Sequence, residues 1–384
     1  MQTLQRLRRA GGSWARWRWC SGRADSPLRR LLDDAGAFRE GAPGGADGAL
    51  QWATQPYAAP PPAAERPAQD PRDATVLLFP GQGSQRVGMG LRLQHLPAAR
   101  ELYELASSVV GWDVWRVCTE GPAAELDARC QTCVLVTSLA ALERVRAERP
   151  AALERARAAA GFSLGEVTAL VFAGSLELEP ALRLVEVRTA AMRAAAAARP
   201  GAMLTVWLAP DARLAAALAA ARDHAAARGV PDPVCQVANY LYPGCKVLAG
   251  DEEALRWLEA EGGALGVRRC ARVRAAGAFH SALMAPAAEA VRRAVAAARP
   301  GAPRLRVVSA VAARGVASGA AAARALARAV AAPVRWEQAL QALYARPRGA
   351  HFPLTLALGP GGTLRATLRQ VNARAWDRSL QVDV

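Results

Sequence analysis

Gly161-Phe162-Ser163-Leu164-Gly165 follows a short run of small apolar residues and opens a segment with helical periodicity. Glycines on both sides of a serine permit a sharp strand-to-helix turn that lifts the hydroxyl out of the backbone. The start of the helix also favours an anion developing at that hydroxyl. The same serine with Glu166 spells S-x-x-E, the pattern of a helix-capping box. The pentapeptide alone therefore leaves both a nucleophile and a cap open.

Outward from this turn, Thr75-Val-Leu-Leu-Phe79 is a short apolar run stopped by Pro80-Gly81, which reads as a buried strand feeding a glycine turn. Helices are expected near 88–109 and 131–147, a strand near 157–162, and further helices at 164–173 and 178–198. Strands alternating with helices predict a parallel sheet covered on both faces. From Ala202 the pattern changes to strand 202–208, helix 210–228, strands near 233–239 and 245–249, helix 251–262 and strand 266–274. That order, βαββαβ, is ferredoxin-like. The chain then returns to helix, with a strand near 304–310, more helix, and a last strand at 354–358. The expected fold class is α/β, a parallel-sheet core formed by 75–200 and 276–384, with a small ferredoxin-like subdomain, 201–275, inserted between Ser163 and His280.

Composition narrows the function classes. The chain has 384 residues, 52% hydrophobic and 21% charged, which suits a folded core and excludes global disorder. No run is long and apolar enough to predict a transmembrane segment. The first 30 residues hold eight arginines against one acid, Asp25. Together with interspersed Leu and Trp they read as a mitochondrial presequence over 1–40 rather than a secretory signal or a nucleic-acid arm. Residues 41–74, rich in Gly, Ala and Pro, read as a linker. From Thr75 onward there are 38 basic and 25 acidic residues, an excess that favours an acidic partner or an anionic substrate. Only Lys246 is a lysine, so the excess also reflects an Ala/Arg-rich composition. Seven cysteines, an odd number, argue against a disulfide framework. Cys130-x-x-Cys133 lacks a second pair at metal-binding distance and continues into a Val/Leu-rich helix, so these read as core thiols and no metal site is expected.

A serine nucleophile needs a base, and there are four histidines. His95 lies at the polar end of a helical pattern, His224 in an Ala/Arg helix, and His351 in a surface loop. His280 stands where the inserted unit hands back to the main domain, in Gly277-Ala278-Phe279-His280-Ser281, among small residues that leave room for a substrate. Arg188 is a second clue. At about 100° per residue its neighbours are Ala181, Leu184, Val185, Ala191, Met192 and Ala195, so an arginine is centred on an apolar stripe. A buried guanidinium needs a carboxylate, supplied by the protein or by a ligand. Phe79-Pro80-Gly81-Gln82-Gly83-Ser84-Gln85 lacks the G-K-[ST] ending of a phosphate loop. Its N–H groups, with that of Leu164, could instead serve an oxyanion.

Taken together, in this order and spacing, FPGQGSQ at 79–85, GFSLGE at 161–166, EVR at 186–188, VANYLYPG at 237–244 and GAFHS at 277–281 resemble the malonyl-CoA:acyl carrier protein transacylases, in their mitochondrial form, over about residues 75–375. The resemblance implies a hydrolase-like α/β core with the inserted subdomain, and malonyl transfer from malonyl-CoA to the phosphopantetheine thiol of acyl carrier protein in the mitochondrial matrix. It implies Ser163 as acylated nucleophile, His280 as base and acid, Arg188 on the malonyl carboxylate, and N–H groups of Gln82 and Leu164 as oxyanion hole. Asn239 would line the cleft, and Phe279 beside the base would fill the space of a methylmalonyl branch. A backbone carbonyl just before Pro333 would orient the histidine, with no third triad side chain. No cofactor is implied, since the phosphopantetheine is carried by the partner. Phe162 stands where many bacterial relatives have histidine, and Ala357 where many have glutamate; neither supplies a reacting atom. Two rivals share parts of this pattern. A thioesterase would use Ser163 and His280 but not the arginine, and a noncatalytic carrier-binding subunit would need neither.

Overall fold

Leu77 and Phe79 of β1 (Thr75–Phe79) enter one apolar cluster, and Val76 and Leu78 enter another on the opposite side. The two-residue period of a strand divides them in this way. A strand apolar on both faces belongs in the middle of a covered sheet, and β1 pairs in parallel with β2 (Ala156–Gly161) on one side and with a later strand on the other. This computed structural model describes residues 74–384; the expected presequence, and all of the expected linker except Ala74, lie outside the described residues.

Between β1 and β2 run α1 (Pro97–Val110), two short helices at Val114–Thr119 and Ala123–Ala128, and α2 (Cys130–Glu148), which is buried along most of its length. Beyond β2 come α3 (Leu164–Phe172) and α4 (Leu178–Ala198). The next unit is β3 (Ala202–Leu208), α5 (Leu214–Ala227), β4 (Cys235–Tyr242), β5 (Cys245–Gly250), α6 (Glu252–Glu261) and β6 (Val267–Arg272). The chain closes with α7 (Ala285–Ala298), β7 (Arg306–Ser309), β8 (Arg314–Gly315), α8 (Gly319–Arg328), α9 (Trp336–Tyr344), β9 (Leu354–Leu358), α10 (Thr363–Val371) and β10 (Ser379–Val382).

The large sheet has the order β10-β9-β1-β2-β7-β8, parallel except for the short β8. The small sheet, β4-β5-β3-β6, is antiparallel, and its own core joins Leu204, Val206 and Leu248 to Ala217, Leu255 and Leu258 of the two helices. This is the α/β architecture with a βαββαβ insertion that the sequence predicts.

Two expectations need correction. The helix expected from residue 88 begins only at Pro97, because Gly88 and Gly90 take φ of 92° and 95°, outside the helical region, and a 3₁₀ turn at Leu91–Leu93 fills the gap. The strand at 354–358 is not the last: β10 pairs with it in parallel. Four residues are too few to show a period before the structure supplies the neighbour.

Cys130 and Cys133 are buried in α2 as free thiols, and burial pushes the Cys130 thiol up to about 12. Among the described residues no group of three or more His, Cys, Asp or Glu could hold a metal ion. No helix of the described residues is long and apolar enough to cross a membrane.

Candidate active site

Ser163 sits between the end of β2 and the start of α3 with φ 54° and ψ −104°, a conformation non-glycine residues seldom adopt. The flanking glycines are required by space as well as by turning. A Cβ on Gly161 would lie 1.8 Å from the Gly165 carbonyl carbon, and one on Gly165 would lie 2.1 Å from the Phe79 oxygen. The Phe162 N–H donates to that same Phe79 oxygen at 3.0 Å, which ties the serine turn to the end of β1.

The serine hydroxyl meets His280, whose Nε2 lies 2.8 Å from Ser163 Oγ. His280 also has a left-handed φ, 61°, in the turn that leads out of β6. Its N–H donates to Val330 O at 3.1 Å, and its Nδ1 lies 2.7 Å from Ala329 O. A carbonyl can only accept, so Nδ1 carries the proton and Nε2 presents a lone pair to the serine hydroxyl. The carbonyl is four positions before Pro333. Burial, reinforced by the nearby Arg188 charge, pushes the imidazole down to about 4, so it is neutral at physiological pH with its Nε2 lone pair available to accept a proton.

Arg188 projects from α4 and is 3% exposed. One guanidinium nitrogen donates to Gln131 Oε1 of α2, and the other donates to Ser163 Oγ at 3.0 Å. Among the described residues no carboxylate lies within ion-pair distance of it, so the protein supplies a neutral amide where a salt bridge was one possibility. Burial lowers its pKa to about 10, which leaves it charged at neutral pH.

The capping box does not form. Ser163 makes no side-chain cap bond, and Glu166 turns inward so that its Oε2 accepts from Ala310 N–H at 3.1 Å. Burial raises the Glu166 carboxyl to about 7.

The remaining candidates are distributed unevenly. Among the described residues, the N–H groups of Gln82 and Leu164 engage no acceptor in turns, loops or caps. Asn239, on β4, is 7% exposed; it forms an isolated parallel bridge with Val334, and its Oδ1 has no hydrogen-bond partner among the described residues. Phe279 is buried in the large core beside His280. Phe162 meets Trp336 edge-on, with ring centroids 5.6 Å apart, so it joins the core rather than the polar cluster. His95 and His351 are exposed, and His224 faces Glu253 on the small subdomain.

Gln131 was not singled out by the sequence. Its amide joins Arg188 to the Gln82 side chain, with Gln131 Nε2 3.3 Å from Gln82 Oε1 and 3.8 Å from Met192 Sδ. The one available signal was a glutamine in the first turn of a helix otherwise rich in Val, Leu and Ala. Ala329 acts through its carbonyl, which carries no sequence signature.

A neutral histidine on a serine hydroxyl, two disengaged N–H groups near the helix start and a buried cation together suit covalent transfer of an acidic acyl group. Comparison with known proteins agrees with this chemistry. The family model described as "Acyl transferase domain" matches residues 76–352. The chain is 41% identical over 372 residues to a Drosophila melanogaster protein named "Probable malonyl-CoA-acyl carrier protein transacylase, mitochondrial", covering 96% of this chain and 95% of that one. It is 39% identical over 350 residues to the human mitochondrial malonyl-CoA-acyl carrier protein transacylase, covering 85% and 90%. The crystal structure of malonyl-CoA:acyl carrier protein transacylase from Xanthomonas oryzae pv. oryzae superposes with a TM-score of 0.71 at 31% identity, covering 81% of this chain and 95% of that one.

Proposed function

This chain belongs to the acyl transferase domain family, and from that premise we propose how its residues carry out malonyl transfer. It is an acyltransferase that moves the malonyl group of malonyl-CoA to the phosphopantetheine thiol of acyl carrier protein. The observation that carries the assignment of roles is Ser163 Oγ lying 2.8 Å from His280 Nε2 and 3.0 Å from the Arg188 guanidinium.

His280 takes the Oγ proton as Ser163 attacks the thioester carbonyl, and the oxyanion that forms accepts from the N–H groups of Gln82 and Leu164. Collapse of the tetrahedral intermediate breaks the C–S bond, and CoA leaves as a thiol with the proton from the imidazolium. The phosphopantetheine thiol then gives its proton to His280 and attacks the malonyl-serine ester, and Ser163 recovers its proton. Each half-reaction exchanges one acyl bond for another, so the chemistry as written needs no metal and no redox group. Throughout, the malonyl carboxylate pairs with Arg188, which the protein leaves with neutral partners. Phe279 and Asn239 would shape the acyl and cleft sides of the pocket.

The protein is mitochondrial. We place it in the matrix, directed by residues 1–40 and joined to the body by 41–74, where it would supply malonyl-acyl carrier protein for type II fatty acid synthesis. The large subdomain, 75–200 with 276–384, would hold the acylated serine, and 201–275 would form the opposite wall of the cleft.

The test is incubation with labelled malonyl-CoA, with and without phosphopantetheinylated carrier protein, followed by intact-mass measurement. Wild type should gain one malonyl group and lose it only when the carrier is added. Ser163→Ala should gain none, and a malonyl adduct on that variant would sink the assignment. Loss of the adduct without carrier would indicate a thioesterase.

A further inference from the structure

Residues 329–337, running from the end of α8 into α9, touch both reacting side chains' supports and the small subdomain. Ala329 O holds His280 Nδ1 at 2.7 Å, and Val330 O accepts the His280 N–H at 3.1 Å. Val334 N–H donates to Ala238 O and Val334 O accepts from Tyr240 N–H, both at 2.8 Å, which joins the segment to β4 of the small sheet. Arg335 N–H donates to Ala310 O at 2.6 Å, and Ala310 N–H in turn donates to Glu166 in the first turn of the serine's helix. Trp336 packs against Phe162, next to Ser163.

The segment ends at Glu337, whose Oε2 accepts from Lys246 Nζ at 2.7 Å, with side-chain exposures of 4% and 13%. Lys246, on β5, is the only lysine in the chain. Its ammonium also donates to Tyr242 O at 3.0 Å and lies 5.4 Å from the centroid of the Tyr240 ring. We propose that Lys246 and Glu337 form a positioning pair for the catalytic base, fixing the small subdomain against the segment whose carbonyls orient His280.

The reason is geometric. The backbone bonds at Val334 and the packing of Tyr242 against the cluster around Trp336 set β4 beside the segment, and neither fixes it through a charged side chain. The Lys246–Glu337 bond adds a directional attachment three residues on, between β5 and the start of α9. Acyl transfer tolerates little displacement of a base from its nucleophile, because misplacement of about 1 Å can cost about 10²-fold in rate. The inference rests on His280 serving as the base.

The test compares Lys246→Met and Lys246→Arg with wild type by steady-state kinetics and by NMR of protein labelled with ring-¹⁵N histidine. With four histidines, of which His95 and His351 are exposed and His224 half-buried, the slowly exchanging Nδ1–H belongs to His280. Lys246→Met should lower kcat by about 10²-fold, leave KM for malonyl-CoA unchanged because Arg188 is untouched, and speed exchange of the His280 Nδ1–H. Lys246→Arg, which keeps a cation within reach of Glu337, should restore both. A folded Lys246→Met with wild-type kcat and wild-type exchange overturns the proposal. Should Lys246→Met fail to fold, Glu337→Gln keeps an oxygen for Nζ and should shift kcat and exchange in the same direction; wild-type values for both overturn the proposal. His280→Ala separates the two levels. Wild-type activity there would remove the base assignment itself, whereas an inactive His280→Ala beside a fully active Lys246→Met would remove only the positioning pair.

Discussion

The floor of the site around Arg188 and the seam around Lys246 each bury a cation, and the protein treats the two oppositely. Lys246 has a carboxylate of its own, Glu337, together with a carbonyl and an aromatic face. Arg188 has an amide and a hydroxyl. Burying a charge without a counter-charge is unfavourable, and such groups persist where they serve a site. A buried cation with its own carboxylate joins two parts of the structure. One with neutral partners is arranged for a carboxylate that arrives with the substrate.

The largest expected effect comes from removing the cation that, among the described residues, has no carboxylate within ion-pair distance. Arg188→Met should lower the malonyl-to-acetyl ratio of kcat/KM by roughly 10²–10⁴-fold, the equivalent of about 3–5 kcal/mol for one partner of a desolvated pair. Its Tm should not fall, whereas Lys246→Met, which removes the ammonium from a buried ion pair, should lose about 3–5 kcal/mol of stability. Thermal melts and kinetics on malonyl- and acetyl-CoA check both. An Arg188→Met enzyme with the wild-type ratio would make the two cations alike and both structural.

A smaller effect should follow from making the first region resemble the second. Gln131→Glu places a carboxylate where the amide oxygen now accepts from Arg188. Because a hydrogen bond to a charged group is worth about 1.5–3 kcal/mol, malonyl-CoA kcat/KM should fall roughly 10–10²-fold while Tm rises. Undiminished turnover would mean that the guanidinium does not need to be left for the substrate.

The smallest effect concerns pH. His280 is held near 4 chiefly by burial and secondarily by Arg188. With a folded value below the unfolded value of about 6.5, the unfolded chain binds more protons between the two. This group's contribution to stability is therefore present above about 6.5 and is lost as pH falls towards 4. Removing the Arg188 charge should move the histidine upward, though not fully, because burial remains. NMR titration of His280 in wild type and Arg188→Met measures the change, and no upward movement would mean that the arginine does not act on the base.

Much of this arrangement was legible in the chain. The two glycines around Ser163 report a turn with no room for a Cβ, a local demand that leaves a local signature. The change from a core strand and helix pattern to βαββαβ marks the inserted unit, and His280 stands out because the insertion ends there. Arg188 is visible because helical periodicity puts it among alanines, leucines and valine. Other features were illegible for equally physical reasons. The disputed cap at Ser163 and Glu166 turned on which way two side chains point, and Glu166 reaches residue 310, far away in sequence. Gln131 gains its role from α4 packing across α2. Lys246 carries no local signal of its role, because its partner Glu337 lies 91 residues further along the chain.

By itself the sequence determined most of the elements, the order of most strands along the chain, and the residue types able to attack, deprotonate and pair with a carboxylate, because these depend on neighbours within a turn or two. Only the tertiary structure decided which groups meet. The carbonyl that orients His280, the amide that steadies Arg188 and the carboxylate that receives Lys246 lie 49, 57 and 91 residues from their partners. Contacts of that span are set by the packing of whole elements against one another, which no local pattern records.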